Sequence, residues 1–178
     1  MLIFRNEENF TMTSFEKNSI IIRQICDTIE PGKKMLQKLM YLISRKDVNL
    51  ELNYSIHYFG PYSSKLDSTL HTLESFDKLS INTSGITHII HLGDSPIEGT
   101  LDHKEQESVD FVLKNFSMKS AHELEAITTI DYVATKMLKN QAKDEDIIAK
   151  VQQIKGTKFS KEYLQDCLQT LKRLDYIA

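Results

Sequence analysis

The sequence predicts an α+β fold that is predominantly helical, with a winged-helix-like N-terminal lobe carrying a small β-hairpin and a helical C-terminal lobe. Three observations predict it. Apolar residues recur at helical spacing through most of the chain, as in Met35, Leu36, Leu39, Met40 and Ile43. The period drops to two at Leu50, Leu52, Tyr54, Ile56 and Tyr58, which alternate with Glu51, Asn53, Ser55 and His57. Finally, Lys78 to Gly93 holds two β-branched runs on either side of the turn residues Asn82 to Gly85.

Taken in order, residues 1–13 read either as a mobile polar arm or as a docking one, with Leu2-Ile3-Phe4 and Phe10 forming an edge strand. Ser14 to Ile29 forms an amphipathic helix through Ile21, Ile22, Ile25 and Cys26, with Ser14 or Asn18 as cap and Pro31-Gly32 as stop. The helix over 33–46 follows, then a half-buried strand over Leu50–Tyr58. Gly60-Pro61 ends that strand in a strand-to-helix corner, because glycine takes unusual backbone angles and proline suits a helix start. A third helix runs from about Tyr62 to Asp77, with Leu66, Leu70, Leu73 and Phe76 inward. The hairpin closes a lobe over 14–93, and residues 94–101 form a connector.

The lobe over 102–178 is helical throughout. Asp102 caps a helix to about Phe116, and Ser120-x-x-Glu123 is a capping box opening a helix through Leu124, Ile127, Ala134 and Leu138. A short helix carries Ile147, Ile148, Val151 and Ile154 and stops at Gly156, and a last one is capped by Ser160. No fixed-period repeat links the two halves.

The helix Leu36-Gln37-Lys38-Leu39-Met40-Tyr41-Leu42 and the corner Tyr58-Phe59-Gly60-Pro61-Tyr62-Ser63 resemble the YwgA family of uncharacterised prokaryotic proteins. More distantly, they resemble SocA-like proteins with a Panacea domain, which share a Leu-Gln-Lys-Leu-x-Tyr helix and a later Gly-Pro. The likeness covers the first half of the chain and, more loosely, Leu124 to Ala134. It implies a mainly helical protein in a group where several Panacea relatives are antitoxins that neutralise a partner protein. It implies no enzymatic reaction.

Totals narrow the classes. A chain of 178 residues suits one domain or two small lobes, and 40% hydrophobic with 26% charged residues is an ordinary globular composition. A net charge of −3 lacks the basic excess that drives general nucleic-acid binding. Cys26 and Cys167 sit in helical apolar patterns and read as reduced core residues, which fits a cytoplasmic protein. The first residues lack a basic start before an apolar run, so no secretory signal is expected, and no stretch is apolar enough to span a bilayer.

Candidate chemistry is sparse. The histidines 57, 71, 88, 91, 103 and 122 include one close pair, His88 and His91, but residues three apart on a strand face opposite ways. No metal site and no cofactor is expected. No nucleophile elbow, zinc-protease or phosphate-loop motif is present, so no catalytic residue is expected either. Gln37, Lys38 and Tyr41 lie on nearby faces of one helix and read either as buried hydrogen bonding to the adjacent corner or as partner recognition. Gly60 and Pro61 either fix the corner or present Tyr62 and Ser63 to a ligand. Tyr54, Tyr58, Tyr62 and Ser63 are the candidate partner-binding residues, since clustered tyrosines suit a protein interface.

Nucleic acid is the competing partner. The third helix region sets Lys65 and Lys78 against Asp67, Glu74 and Asp77, a net −1 that does not suit groove reading. Basic residues gather elsewhere: Lys33, Lys34, Arg45 and Lys46 in the second helix region, and Lys158, Lys161, Lys172 and Arg173 near the end. The expected function is therefore a non-enzymatic, antitoxin- or adaptor-like regulator that binds a protein. The alternative is a DNA-binding regulator of a prophage or phage-defence locus.

Overall fold

A computed structural model describes residues 12–178; the expected docking of Leu2-Ile3-Phe4 and Phe10 lies outside them. The described residues form seven α-helices and two two-stranded hairpins, a predominantly helical α+β arrangement.

Helix α1 (Ser14–Thr28) is opened by Thr13, not by Ser14 or Asn18. The Thr13 hydroxyl accepts from the Glu16 amide (3.2 Å), and the Glu16 carboxylate accepts from the Thr13 amide (2.8 Å). This reciprocal box satisfies two otherwise free helix donors. Asn18 is buried instead, donating to the Leu50 carbonyl (3.2 Å). Helix α2 (Lys33–Ser44) is buried without interruption from Leu36 to Ile43, which makes it a central element.

The expected strand over Leu50–Tyr58 is a correction. Leu50 and Leu52 are buried and Glu51 and Asn53 exposed, as a period of two requires. However, Glu51 and Asn53 have φ of 51° and 48°, and left-handed residues cannot stay in a paired ladder. Regular strand is confined to β1 (Ser55–His57), antiparallel to β2 (Gly60–Tyr62), with Ser55 opposite Tyr62 and His57 opposite Gly60. Gly60-Pro61 thus lies within a second strand, and Tyr58-Phe59 forms the turn. Proline is tolerated there because the strand is an edge.

Helix α3 (Ser64–Ser75) is capped by the Ser63 hydroxyl, which accepts from the Leu66 amide (3.1 Å). Leu66, Leu70 and Leu73 are buried as expected, whereas Phe76 lies past the helix end, is 62% exposed, and precedes the left-handed Asp77. Strands β3 (Leu79–Asn82) and β4 (Ile89–Leu92) pair antiparallel as the expected hairpin, but Asn82 lies in β3 opposite Ile89 and the connecting loop spans 83–88, so the second run starts later than expected and Ile86 is exposed. The Lys33 amide donates to the His88 carbonyl and the Ile90 amide to the Pro31 carbonyl, both at 2.9 Å, tying the start of α2 to β4.

Helices α4 (His103–Phe116), α5 (Ala121–Tyr132), α6 (Asp144–Lys155) and α7 (Lys161–Arg173) follow, with a π-helical turn at Val133–Met137 after α5. Their caps are Asp102, Ser120 and Ser160, and Gly156, at φ 61°, ends α6. Helix α5 is buried on every side from Leu124 to Asp131 and packs against α2, α6, α7 and β2. One continuous core runs from Ile20 through Leu39, Ile130 and Leu168 to Tyr176, so residues of both sequence halves share it. Cys26 and Cys167 are free thiols, half-buried and buried respectively. No helix among the described residues is long and apolar enough to cross a membrane.

Candidate functional site

The polar residues of α2 hold the β2 segment in place. The Gln37 amide nitrogen donates to the Ser63 carbonyl, and its oxygen accepts from the Ser63 amide, each at 2.9 Å. Ser63 is fully buried; besides capping α3, its hydroxyl donates to the Leu52 carbonyl. Lys38 donates from Nζ to the Pro61 carbonyl (2.6 Å). Side chains of one helix thereby satisfy main-chain groups that a short edge strand leaves without ladder partners.

Gly60 permits this close docking. Its φ is 91°, and a Cβ there would meet Thr129 Oγ1 at 2.9 Å and Lys38 Cε at 3.4 Å. Gly60→Ala is expected to destabilise the fold by about 2 kcal/mol, from backbone strain and displaced contacts. Urea unfolding of the two proteins checks this, and an unchanged midpoint would remove the packing role.

So anchored, the turn projects its aromatic residues. Tyr58 is 79% and Phe59 39% exposed, with rings edge to face at 4.9 Å. Lys34 Nζ lies 3.5 Å from the Phe59 ring centre, and Lys158 Nζ lies 5.3 Å from it and 5.7 Å from that of Tyr58. Such cation–ring contacts contribute about 0.5–1 kcal/mol each at exposed sites. Lys155 donates to the Tyr58 carbonyl, fixing the turn to α6. Beneath it, the buried Glu125 of α5 receives Lys155 (2.9 Å) and Lys158 (2.8 Å). Burial alone would push the Glu125 carboxyl up, but the Lys158 and Lys155 hydrogen bonds hold it below the ordinary value.

The other expected partner-binding residues are placed differently. Tyr54 packs its ring edge-on against Tyr41 at 5.1 Å, and its buried hydroxyl has no hydrogen-bond partner among the described residues. Burial pushes that hydroxyl well above its ordinary pKa. Tyr62 is half-buried beside His57, with ring centres 4.9 Å apart, and Ser63 presents no surface at all. Of the four, Tyr58 stands furthest into solvent. Tyr41 is 1% exposed and donates its hydroxyl to Asp131 of α5, which also receives Arg45 Nε (2.8 Å).

The eight basic residues are not brought into one patch. Lys33 pairs with Asp67, Arg45 with Asp131, Lys158 with Glu125 and Lys172 with Asp144. Lys46 donates to the Leu174 carbonyl (2.7 Å) and stacks on Phe111 and Tyr176. Lys34, Lys161 and Arg173 are exposed.

Sequence reasoning missed Glu125, Thr129, Asp131 and Lys155. The available signal was two carboxylates inside a helix that is apolar all round, since a buried acid needs a partner. The chain matches no protein-family model, and no curated protein matches it.

Proposed function

We propose that the chain is a non-enzymatic protein-binding regulator, antitoxin- or adaptor-like, that neutralises or recruits a partner protein through the Tyr58–Phe59 turn. The observation that carries this reading is a largely exposed tyrosine on a turn tied to α6 by Lys155 at the Tyr58 carbonyl and to α2 by Lys38 at the Pro61 carbonyl. Aromatic side chains presented rigidly lose little entropy on binding and are the commonest interface anchors. The resemblance of the α2 and Gly-Pro motifs to the YwgA family and to Panacea-domain antitoxins points the same way. On this reading the chain works in the cytoplasm, which its two free thiols favour.

DNA binding by a transcriptional regulator of a prophage or defence locus is the second reading. It is favoured by the order of α1, α2, α3 and the β3–β4 hairpin, with Gly32 bridging Ile89, which we take as a winged-helix-like lobe. Against it, α3 and its flanks are acidic on balance, and Lys33 and Lys65 are paired with Asp67 and Glu51.

Affinity purification of the tagged chain from its host, beside Tyr58→Ala and Phe59→Ala, separates the two. A stoichiometric protein is expected with the wild type, weakened by about 2–4 kcal/mol in a folded Tyr58→Ala variant. Persistence of that protein with both variants would sink the turn as its site. Nucleic acid in place of a protein, with affinity dropping by orders of magnitude between roughly 50 and 200 mM salt, would favour the DNA reading.

A further inference from the structure

The Tyr58–Phe59 turn sits in an excess of positive charge. Lys33 is matched by Asp67, and Lys155 and Lys158 share the single carboxylate of Glu125. Lys34 and Lys38 have no ion-pair partner among the described residues. Lys34 rests on the Phe59 ring, and Lys38 donates to the Pro61 carbonyl. Five lysine amines thus surround two carboxylates. Lys38 is the unusual member, because it is 3% exposed, and an ammonium buried without a counter-ion is costly.

Lys33, Lys34, Gln37 and Lys38 form one wall of a cavity of about 280 Å³. His57, Tyr58, Phe59 and Tyr62 form the other, so the unmatched charge and the exposed aromatic turn border the same space. That volume falls below the roughly 300–1,000 Å³ of sites for drug-sized ligands. It suits one short side chain.

We infer that this cavity receives the carboxylate of an aspartate or glutamate side chain of the partner protein, between Lys34 and Lys38, beside the Tyr58 contact. The inference rests on the protein-binding reading and names the chemistry it recognises. Charge complementarity selects the occupant: an incoming carboxylate supplies the counter-ion that Lys38 lacks, and a charge-assisted hydrogen bond is about twice as strong as a neutral one. An aromatic residue next to the acid would meet Tyr58 and Phe59 at the rim.

The pairing is pH-dependent. Burial brings the Lys38 ammonium down to about 7, with Glu125 of α5 opposing the fall and Lys155 and Lys34 adding to it. Lys158 lies beyond Glu125, and Lys33, Asp67 and Tyr62 complete the charged and titratable lining, with His57 a second proton-binding group. A bound carboxylate favours the protonated amine, so affinity is high below pH 7 and falls as the pH rises through it.

The test uses the full chain and the tetrapeptide acetyl-Gly-Glu-Phe-Gly-amide, its Gln counterpart, and sodium sulfate, followed by NMR of the lysine ε-methylene signals. The Glu peptide is expected to shift the Lys38 and Lys34 signals and to bind at least about tenfold more tightly than the Gln peptide. Sulfate should compete, and affinity should drop several-fold between about pH 6 and about pH 8.5, a drop that persists in His57→Gln. Lys34→Ala, which changes an exposed residue, should weaken binding without unfolding the chain. Equal binding of both peptides, or no shift at Lys38 with either anion, would overturn the inference. Sulfate binding without the Glu peptide would also overturn it, in favour of a free-anion site. The co-purification with Tyr58→Ala judges the protein-binding reading separately.

Discussion

Asp131→Ala is expected to remove about 3–5 kcal/mol of stability, roughly 10 °C in Tm. Asp131 is fully buried, and it ties α5 to the end of α2 and, through Arg45, to the C-terminal segment. Tyr41 of α2 donates its hydroxyl to Oδ2, and Arg45 places Nε 2.8 Å from Oδ2 while its Nη2 donates to the Tyr176 carbonyl at 3.1 Å. Truncation would strand a buried hydroxyl and a half-buried guanidinium, and an uncompensated buried group costs more than its lost bond alone. Burial raises the Asp131 carboxyl, with Arg45 and Tyr41 opposing that rise, so the pair is held against substantial desolvation. Asp131→Asn, which keeps an acceptor but not the charge, should lose less. Denaturation midpoints and circular dichroism decide; a loss below about 1 kcal/mol for Asp131→Ala would mean that desolvation offsets the network.

A second large effect is expected from Lys38 and pH. The unfolded chain keeps a proton on this amine up to its ordinary value of 10.5, whereas the folded chain releases it near 7. Between those values the unfolded state binds more protons, so the Lys38 contribution to stability rises with pH. Relative to Lys38→Met, the wild type should gain about 2–3 kcal/mol between about pH 7 and about pH 9. Other groups act in the opposite sense: burial pushes the Cys26 thiol up to about 12, so its contribution is lost as pH rises above the unfolded thiol's value. Those groups are common to both proteins, and the difference isolates Lys38. A gap independent of pH would show that the amine stays protonated when buried.

Much of the fold was legible because helix ends are written locally. The side chains of Asp102, Ser120 and Ser160 each accept an amide within three residues, and Gly156 supplies the positive φ that stops α6, whereas the cap at Ser63 was hidden by starting α3 at Tyr62. The segment 50–54 was misread because alternation fixes which side chains face inward but not whether the backbone pairs. Leu50 and Leu52 point to the core equally well when Glu51 and Asn53 are left-handed. Phe76 fits the helical period yet falls one residue past the last turn.

At the site, Gln37 and Lys38 announced themselves as polar residues on a largely apolar helix, and they bond to Ser63 and to Pro61 respectively. The charge census could not separate contact lysines from structural ones. Lys158 is matched by Glu125, thirty-three positions away, and Arg45 by Asp131, eighty-six positions away. Local sequence carries no trace of such pairings. Likewise, Tyr54, Tyr58 and Tyr62 share a spacing of four, while the turn at Tyr58-Phe59 exposes the middle one and leaves its neighbours half-buried.

The most direct test places a photocrosslinking phenylalanine analogue at position 58, with position 118, whose methionine is 91% exposed, as the control. Irradiation in the native host should yield one discrete crosslinked protein from position 58 and none from position 118. The same product from both positions, or nucleic acid crosslinked at 58, would contradict the assignment of the Tyr58–Phe59 turn as the partner-binding element.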